Sequence, residues 1–67
     1  MANFKDSVDF DGAESVKETE AALLVEIDGE RHWIPKSHIH EDSEVYEEGQ
    51  TGKLIISEWI AKEKGLL

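Results

Sequence analysis

The dipeptide Asp28-Gly29 stands between two apolar runs in LLVEIDGERHWI, residues 23–34. Asp-Gly accepts the positive φ angles of a type I′ turn, whose twist matches that of the strands it joins, so the segment reads as a β-hairpin with a two-residue loop. That loop fixes a register in which Ile27 faces Glu30, Glu26 faces Arg31, Val25 faces His32, Leu24 faces Trp33 and Leu23 faces Ile34. Glu26 with Arg31 is an opposite-charge pair and Leu24 with Trp33 an apolar one, both favourable across strands. Alternation along each strand puts Leu23, Val25, Ile27, His32 and Ile34 on one face, and Leu24 and Trp33 with the charge pair on the other. A lone ribbon cannot bury two apolar faces. The expectation is therefore that other elements cover both sides, with Trp33 packed beneath a helix.

The rest of the chain supplies those elements. Pro35 cannot donate to a sheet ladder, so the strand ends there or lies at an edge. KSHIHED, residues 36–42, follows as a loop with room for one tight helical turn. EVYEEGQTGKLIIS reads as a second hairpin near 45–48 and 53–57, turning over Gly49 to Gly52, with Glu48 facing Lys53. SEWIAKEKG reads as a short helix near 58–64: Ser57 is an N-cap candidate, Glu58 sits in the first turn, and Gly65 suits the position after the last turn. Trp59, Ile60 and Leu66 are its expected buried side. Upstream, Ser15 and Glu18 would satisfy a helical capping box, but the hairpin claims the residues that follow, so Ser15 to Thr19 are expected to be extended. Phe4, Asp6, Val8 and Phe10 alternate weakly on one side. Residues 1–12 are thus an N-terminal arm or short edge strand, and residues 13–67 a single small domain. The expected class is mainly β (α+β): a small bent antiparallel sheet or open barrel of about four or five strands with a short C-terminal helix.

Sixty-seven residues make one domain near the lower limit for folding on a single core. The absence of cysteine leaves no disulfide framework and no thiolate metal site. No apolar run approaches the ~20 residues that span a bilayer. MANFKDSVDF has neither a basic n-region nor an apolar h-region, so the expected location is cytoplasmic, with no membrane partner.

The pattern ETEAALLVEIDG, then WIPKSHIHEDSEV, then GKLIISEWIAKEKGL resembles a family of short uncharacterised proteins of bacteriophages and bacterial genomes. The residues that carry it are Glu18, Thr19, Ala22, Leu24 and Val25; Trp33, Ile34, Pro35, Lys36 and Ser37; Ser43, Glu44 and Val45; and Gly52, Leu54, Glu58, Trp59, Ala61, Gly65 and Leu66. The resemblance spans residues 16 to 66 and implies a compact standalone domain of phage or mobile-element type. It implies no activity and no catalytic residues.

The sequence gives chemistry little to work with. In a strand His38 and His40 would share a face, with Glu41 and Asp42 beside them, but a His-X-His pair without a second spaced pair is weak for zinc, and solvated loop histidines are the simpler reading. His32, among Leu23, Val25 and Ile34, reads as a core residue. Ser37 adjoins His38, yet adjacent side chains on a strand diverge, and no nucleophile elbow, P-loop or dinucleotide fingerprint is present. The expectation is no enzyme, no cofactor and no metal.

Binding remains. Sixteen acidic and seven basic residues give a formal net charge of −9, a field that repels nucleic acid and favours basic partners. Glu41, Asp42, Glu44, Glu47 and Glu48 cluster around Tyr46 and form the expected partner-binding surface, with Asp6, Asp9, Asp11, Glu14, Glu18 and Glu20 as a second acidic stretch. The expected function is a small acidic protein-binding module, with mimicry of nucleic acid toward a host protein that handles it as its specific form. The alternative is a nucleic-acid accessory domain using Arg31, Trp33 and Lys36 as a basic-aromatic patch.

Overall fold

The computed structural model describes residues 6–67. Strands β1 (Ser7–Glu18), β2 (Ala22–Ile27), β3 (Glu30–Pro35) and β4 (Thr51–Ser57) are followed by helix α1 (Glu58–Glu63), and one 3₁₀ turn, Lys36–His38, follows β3. Every pairing is antiparallel and the strand order is β3-β2-β1-β4. The architecture is mainly β, an open four-stranded sheet with a short C-terminal helix, as the sequence implies.

The Asp-Gly hairpin forms in the expected register, from Ile27↔Glu30 to Leu23↔Ile34 and on to Ala22↔Pro35. Asp28 and Gly29 take φ values of 52° and 82°, as a type I′ turn requires. Beyond the strand ends the ladder continues through Lys36 N–H to the Ala21 carbonyl at 2.9 Å. Residues of β3 therefore bond to β2 at Glu30, His32 and Ile34, while Arg31, Trp33 and Pro35 point their backbone groups away. Pro35 occupies a position where a missing N–H costs no ladder bond.

β1 departs from the sequence expectation. From Ser7 onward it is a single long strand that stands between β2 and β4 in the sheet order and runs past residue 12. Phe4 and the rest of residues 1–5 lie outside the described residues. The register shifts between Phe10 and Ala13 and again between Ser15 and Lys17. Such bulges bend a strand and raise its twist, so the first half of β1 serves β4 and the second half β2, with Glu14 paired to both Thr51 and Glu26. One long strand thereby does the work of two.

The bend gathers a single core. Ala13, Leu23, Val25, Ile27, Ile34, Leu54 and Ile56 come from the sheet, Ile39 and Val45 from the connection into β4, and Ile60 and Ala61 from α1; Val8, Phe10 and Leu66 pack partly against them. Each buried Leu, Ile or Val contributes about 1.5–3 kcal/mol. Helix α1 is capped as expected. The Ser57 side chain accepts from Ile60 N–H at 3.1 Å. Leu66 N–H reaches Ala61 C=O and Gly65 N–H reaches Lys62 C=O, the paired bonds of a Schellman stop.

Three expectations are corrected. Residues 45–48 are not a strand, and β4 pairs with β1 instead of forming a second hairpin. Of those residues only Val45 buries its side chain, so the segment has no apolar face to pay for a ladder. Glu48 does not face Lys53; it bonds to Glu18, and Lys53 lies 4.0 Å from Asp9. Trp33 is 40% exposed and Trp59 60% exposed. The six-residue α1 packs on β1 and β4 and does not cover the outer face of the hairpin; Ala61 takes the buried place expected for Trp59.

Candidate functional site

The acidic connection between Ile39 and Gln50 runs along the outer edge of β4 and is fastened there. Ile39 bridges Ile56, and His40 N–H donates to Ile55 C=O at 2.8 Å. Glu44 and Val45 N–H both reach Lys53 C=O. Side chains complete the edge. The buried Ser43 hydroxyl accepts from Ile55 N–H at 3.1 Å and lies 2.8 Å from Val45 C=O, and the Glu44 carboxylate accepts Lys53 N–H at 2.8 Å. An edge strand that would otherwise offer open donors and acceptors is thus sealed. Gly52, at φ +150°, admits this contact: a Cβ there would stand 2.7 Å from Glu44 Oε1.

The far end of the connection is fixed by β1. Ser15, 2% exposed on the inner face, bonds through its hydroxyl to the Glu47 and Gln50 carbonyls and accepts Gln50 N–H at 2.8 Å. Gly49 N–H donates to Ser15 C=O at 3.0 Å. Gln50 in turn accepts Tyr46 and Glu47 N–H on its side-chain oxygen at 2.8 and 3.0 Å. Ser43 therefore holds one end of the acidic segment and Ser15 with Gln50 the other.

This scaffold sorts the expected binding residues. Glu41, Asp42, Glu44, Tyr46, Glu47 and Glu48 are all exposed on one connection. The carboxylates of Glu44 and Glu48 are engaged, the first on Lys53 N–H, the second accepting Glu18 N–H at 3.0 Å. Glu18 returns the contact, accepting Glu48 N–H at 3.1 Å and pairing with Lys36 Nζ. The Lys36 hydrogen bond first, then the Glu48 amide, hold the Glu18 carboxyl below its ordinary value of 4.5. These groups line a shallow open depression of about 420 Å³ with Thr19 and Glu20, where the second acidic stretch meets the first. Asp42, with its side chain 78% exposed, lies 3.7 Å from His40 Nδ1. The same nitrogen lies 3.0 Å from Asp42 N–H.

The alternative patch is divided. Arg31 Nε sits 3.2 Å from Glu26 Oε1 and Lys36 is paired with Glu18, so two of its three members already hold carboxylates; Trp33 remains open on the outer face.

The histidines are not solvated loop residues. His38 Nδ1 lies 2.8 Å from Ser57 Oγ and its ring stacks on Trp59 with centroids 5.2 Å apart. This clips the 3₁₀ turn to the start of α1. His32 lies on the core face as expected, but its buried Nε2 has no hydrogen-bond partner among the described residues, the Glu30 carboxylate being 3.8 Å away. Among the described residues, no three or more His, Asp or Glu are grouped to hold a metal ion, and no helix is long and apolar enough to cross a membrane.

Sequence reasoning missed Ser15, Ser43 and Gln50, the residues that shape the acidic segment. A signal was present for Ser15: it continues the inward series of β1 after Ala13, a polar residue where an apolar one would be expected. No family model, no curated protein and no solved structure matches the chain.

Proposed function

We propose that the chain is a small non-catalytic protein-binding module that presents the connection from Glu41 to Glu48 to a basic surface. The observation that carries this is the fastening of an acidic segment at both ends with side chains left over. Ser43, Ser15 and Gln50 immobilise its backbone, while Glu41, Asp42, Glu47 and Tyr46 stay exposed. A segment ordered before it binds loses little conformational entropy on docking. Carboxylates held in a row suit a groove that normally receives phosphates, and the phage-type resemblance suits a modulator that occludes such a groove on a host nucleic-acid-handling protein. Tyr46, 40% exposed, is the aromatic anchor nearest the row.

The test is a partner isolated at low salt and then measured against the triple variant Glu41→Gln/Asp42→Asn/Glu47→Gln. Loss of about tenfold or more in affinity, and a further fall as salt rises, is the expected result. Affinity unmoved by both changes would overturn the proposal. Glu44 and Glu48 are left in place because their carboxylates hold the scaffold. Exposure of Trp33 keeps the nucleic-acid alternative testable: single-strand binding at low salt that is abolished by Trp33→Ala would replace the acidic-surface reading.

A further inference from the structure

The two edges of the sheet are finished differently. The β4 edge is sealed by the segment from Ile39 to Val45. Among the described residues the β3 edge is bare: β3 pairs with β2 alone, and no backbone bond runs outward from Arg31 or Trp33. The hairpin register, extended by Lys36 N–H to Ala21 C=O, fixes which groups are bare: the N–H and C=O of Arg31 and of Trp33. No bulge interrupts β3, and its one proline, Pro35, stands at the end of the strand.

We propose that a second copy of the chain pairs with this edge, β3 to β3, antiparallel about a two-fold axis at His32. The arrangement is dictated by the spacing of the bare groups. With His32 opposite its counterpart, Arg31 of one copy faces Trp33 of the other, and each such pair exchanges two backbone hydrogen bonds. Both side chains lie on the outer face, so each guanidinium is set beside the other copy's indole, an attractive cation–π placement repeated by the symmetry. A basic peptide strand would also find donors and acceptors here, but it would set like charge against Arg31, whereas the chain's own β3 sets Trp33 against it. Because the two-fold contact uses the same edge of both copies, it closes at two and does not propagate into a fibre. The acidic segment lies along the opposite edge and stays free in the dimer. The dimer is independent of the acidic-surface proposal, and either stands without the other.

The contact is short, so the dimer is weak, with a Kd of about 0.1–1 mM. Each copy carries −9, so the association strengthens as salt screens the mutual repulsion, opposite in sign to the partner binding proposed above. The test is sedimentation equilibrium of the full chain up to about 1 mM, at low and high salt, reading the rise from the 7.6 kDa of one copy toward twice that mass. Chemical synthesis with an N-methylated Trp33 amide removes one outward donor and leaves the bonds to β2 in place; dimerisation should fall at least tenfold, with an unchanged circular dichroism spectrum. In a mixture of labelled and unlabelled wild-type chains, intermolecular NOEs between Arg31 and the Trp33 ring report the register directly. A chain that stays monomeric at every concentration and salt overturns the proposal. So does a dimer that lacks those NOEs or ignores the N-methyl group.

Discussion

Glu18 shows how much one half-buried carboxylate can organise. It ends β1, pairs with Lys36 after β3 and receives Glu48 N–H from the acidic segment. Three parts of the chain distant in sequence thus meet on one side chain. Its carboxyl is held below the ordinary value, chiefly by the Lys36 hydrogen bond, so the sign of its pH dependence is set. At pH 7 the group is ionised in both folded and unfolded chains and its contribution is present in full. As pH falls below 4.5 the unfolded chain takes up the proton first, and the contribution is lost by the point at which the folded carboxyl is protonated. Glu18→Gln is therefore expected to lower the urea midpoint at about pH 7 and to match the wild type at about pH 3. A difference of the same size at both pH values would mean that the ion pair contributes nothing and that the variant acts through packing alone. Trp33 teaches the opposite lesson at this scale. Alternation placed it on the second face of the hairpin correctly, but only the tertiary arrangement decides whether a face is covered, and α1 lies elsewhere.

At the scale of elements, the legible parts are those whose cause is local. Asp28-Gly29 dictates a turn, the turn dictates a register, and the register held at every pair. Ser57 and Gly65 bounded α1 for the same reason. The acidic connection was illegible because side chains far away in sequence hold it: Ser15 bonds across 32 and 35 residues to Glu47 and Gln50. Read locally, Ser15 with Glu18 resembles a helix cap, and Val45-Tyr46 resembles a strand start. Ser43 is the place to test the sealing of β4. Ser43→Ala leaves Ile55 N–H buried without an acceptor, a loss of about 1–3 kcal/mol. Hydrogen exchange should show Ile55 losing more protection than Leu54, which pairs with Phe10 of β1 on the other side of the strand. Equal loss at both would mean that the edge opens only by global unfolding and that the hydroxyl seals nothing.

At the scale of the whole molecule, charge sets the terms. The formal charge of −9 is gathered within a radius of gyration of 10.2 Å, comparable with the Debye length of about 8–10 Å in physiological salt. An unfolded chain of this length spreads the same charges over about 25 Å, so repulsion bears mainly on the folded state. Attraction works the other way through Arg31–Glu26, Lys36–Glu18, Lys53–Asp9 and Lys62–Glu58, but surface pairs contribute only about 0–1 kcal/mol each. The excess of carboxylates outweighs them, and added salt should stabilise the fold. Between about 20 mM and 500 mM sodium chloride the urea midpoint is expected to rise with no change in m-value. The triple variant Glu41→Gln/Asp42→Asn/Glu47→Gln adds a sharper comparison, because it removes exposed charge and leaves every described scaffold bond of the acidic segment intact. It should be more stable than the wild type at low salt, and the gain should shrink as salt rises. A variant that gains stability while losing its partner would show carboxylates kept at a cost to the fold, as expected where function and stability compete. A midpoint that falls with salt, or a triple variant no more stable than the wild type at 20 mM, would mean that the ion pairs outweigh the repulsion and that the acidity of this segment places no load on the fold.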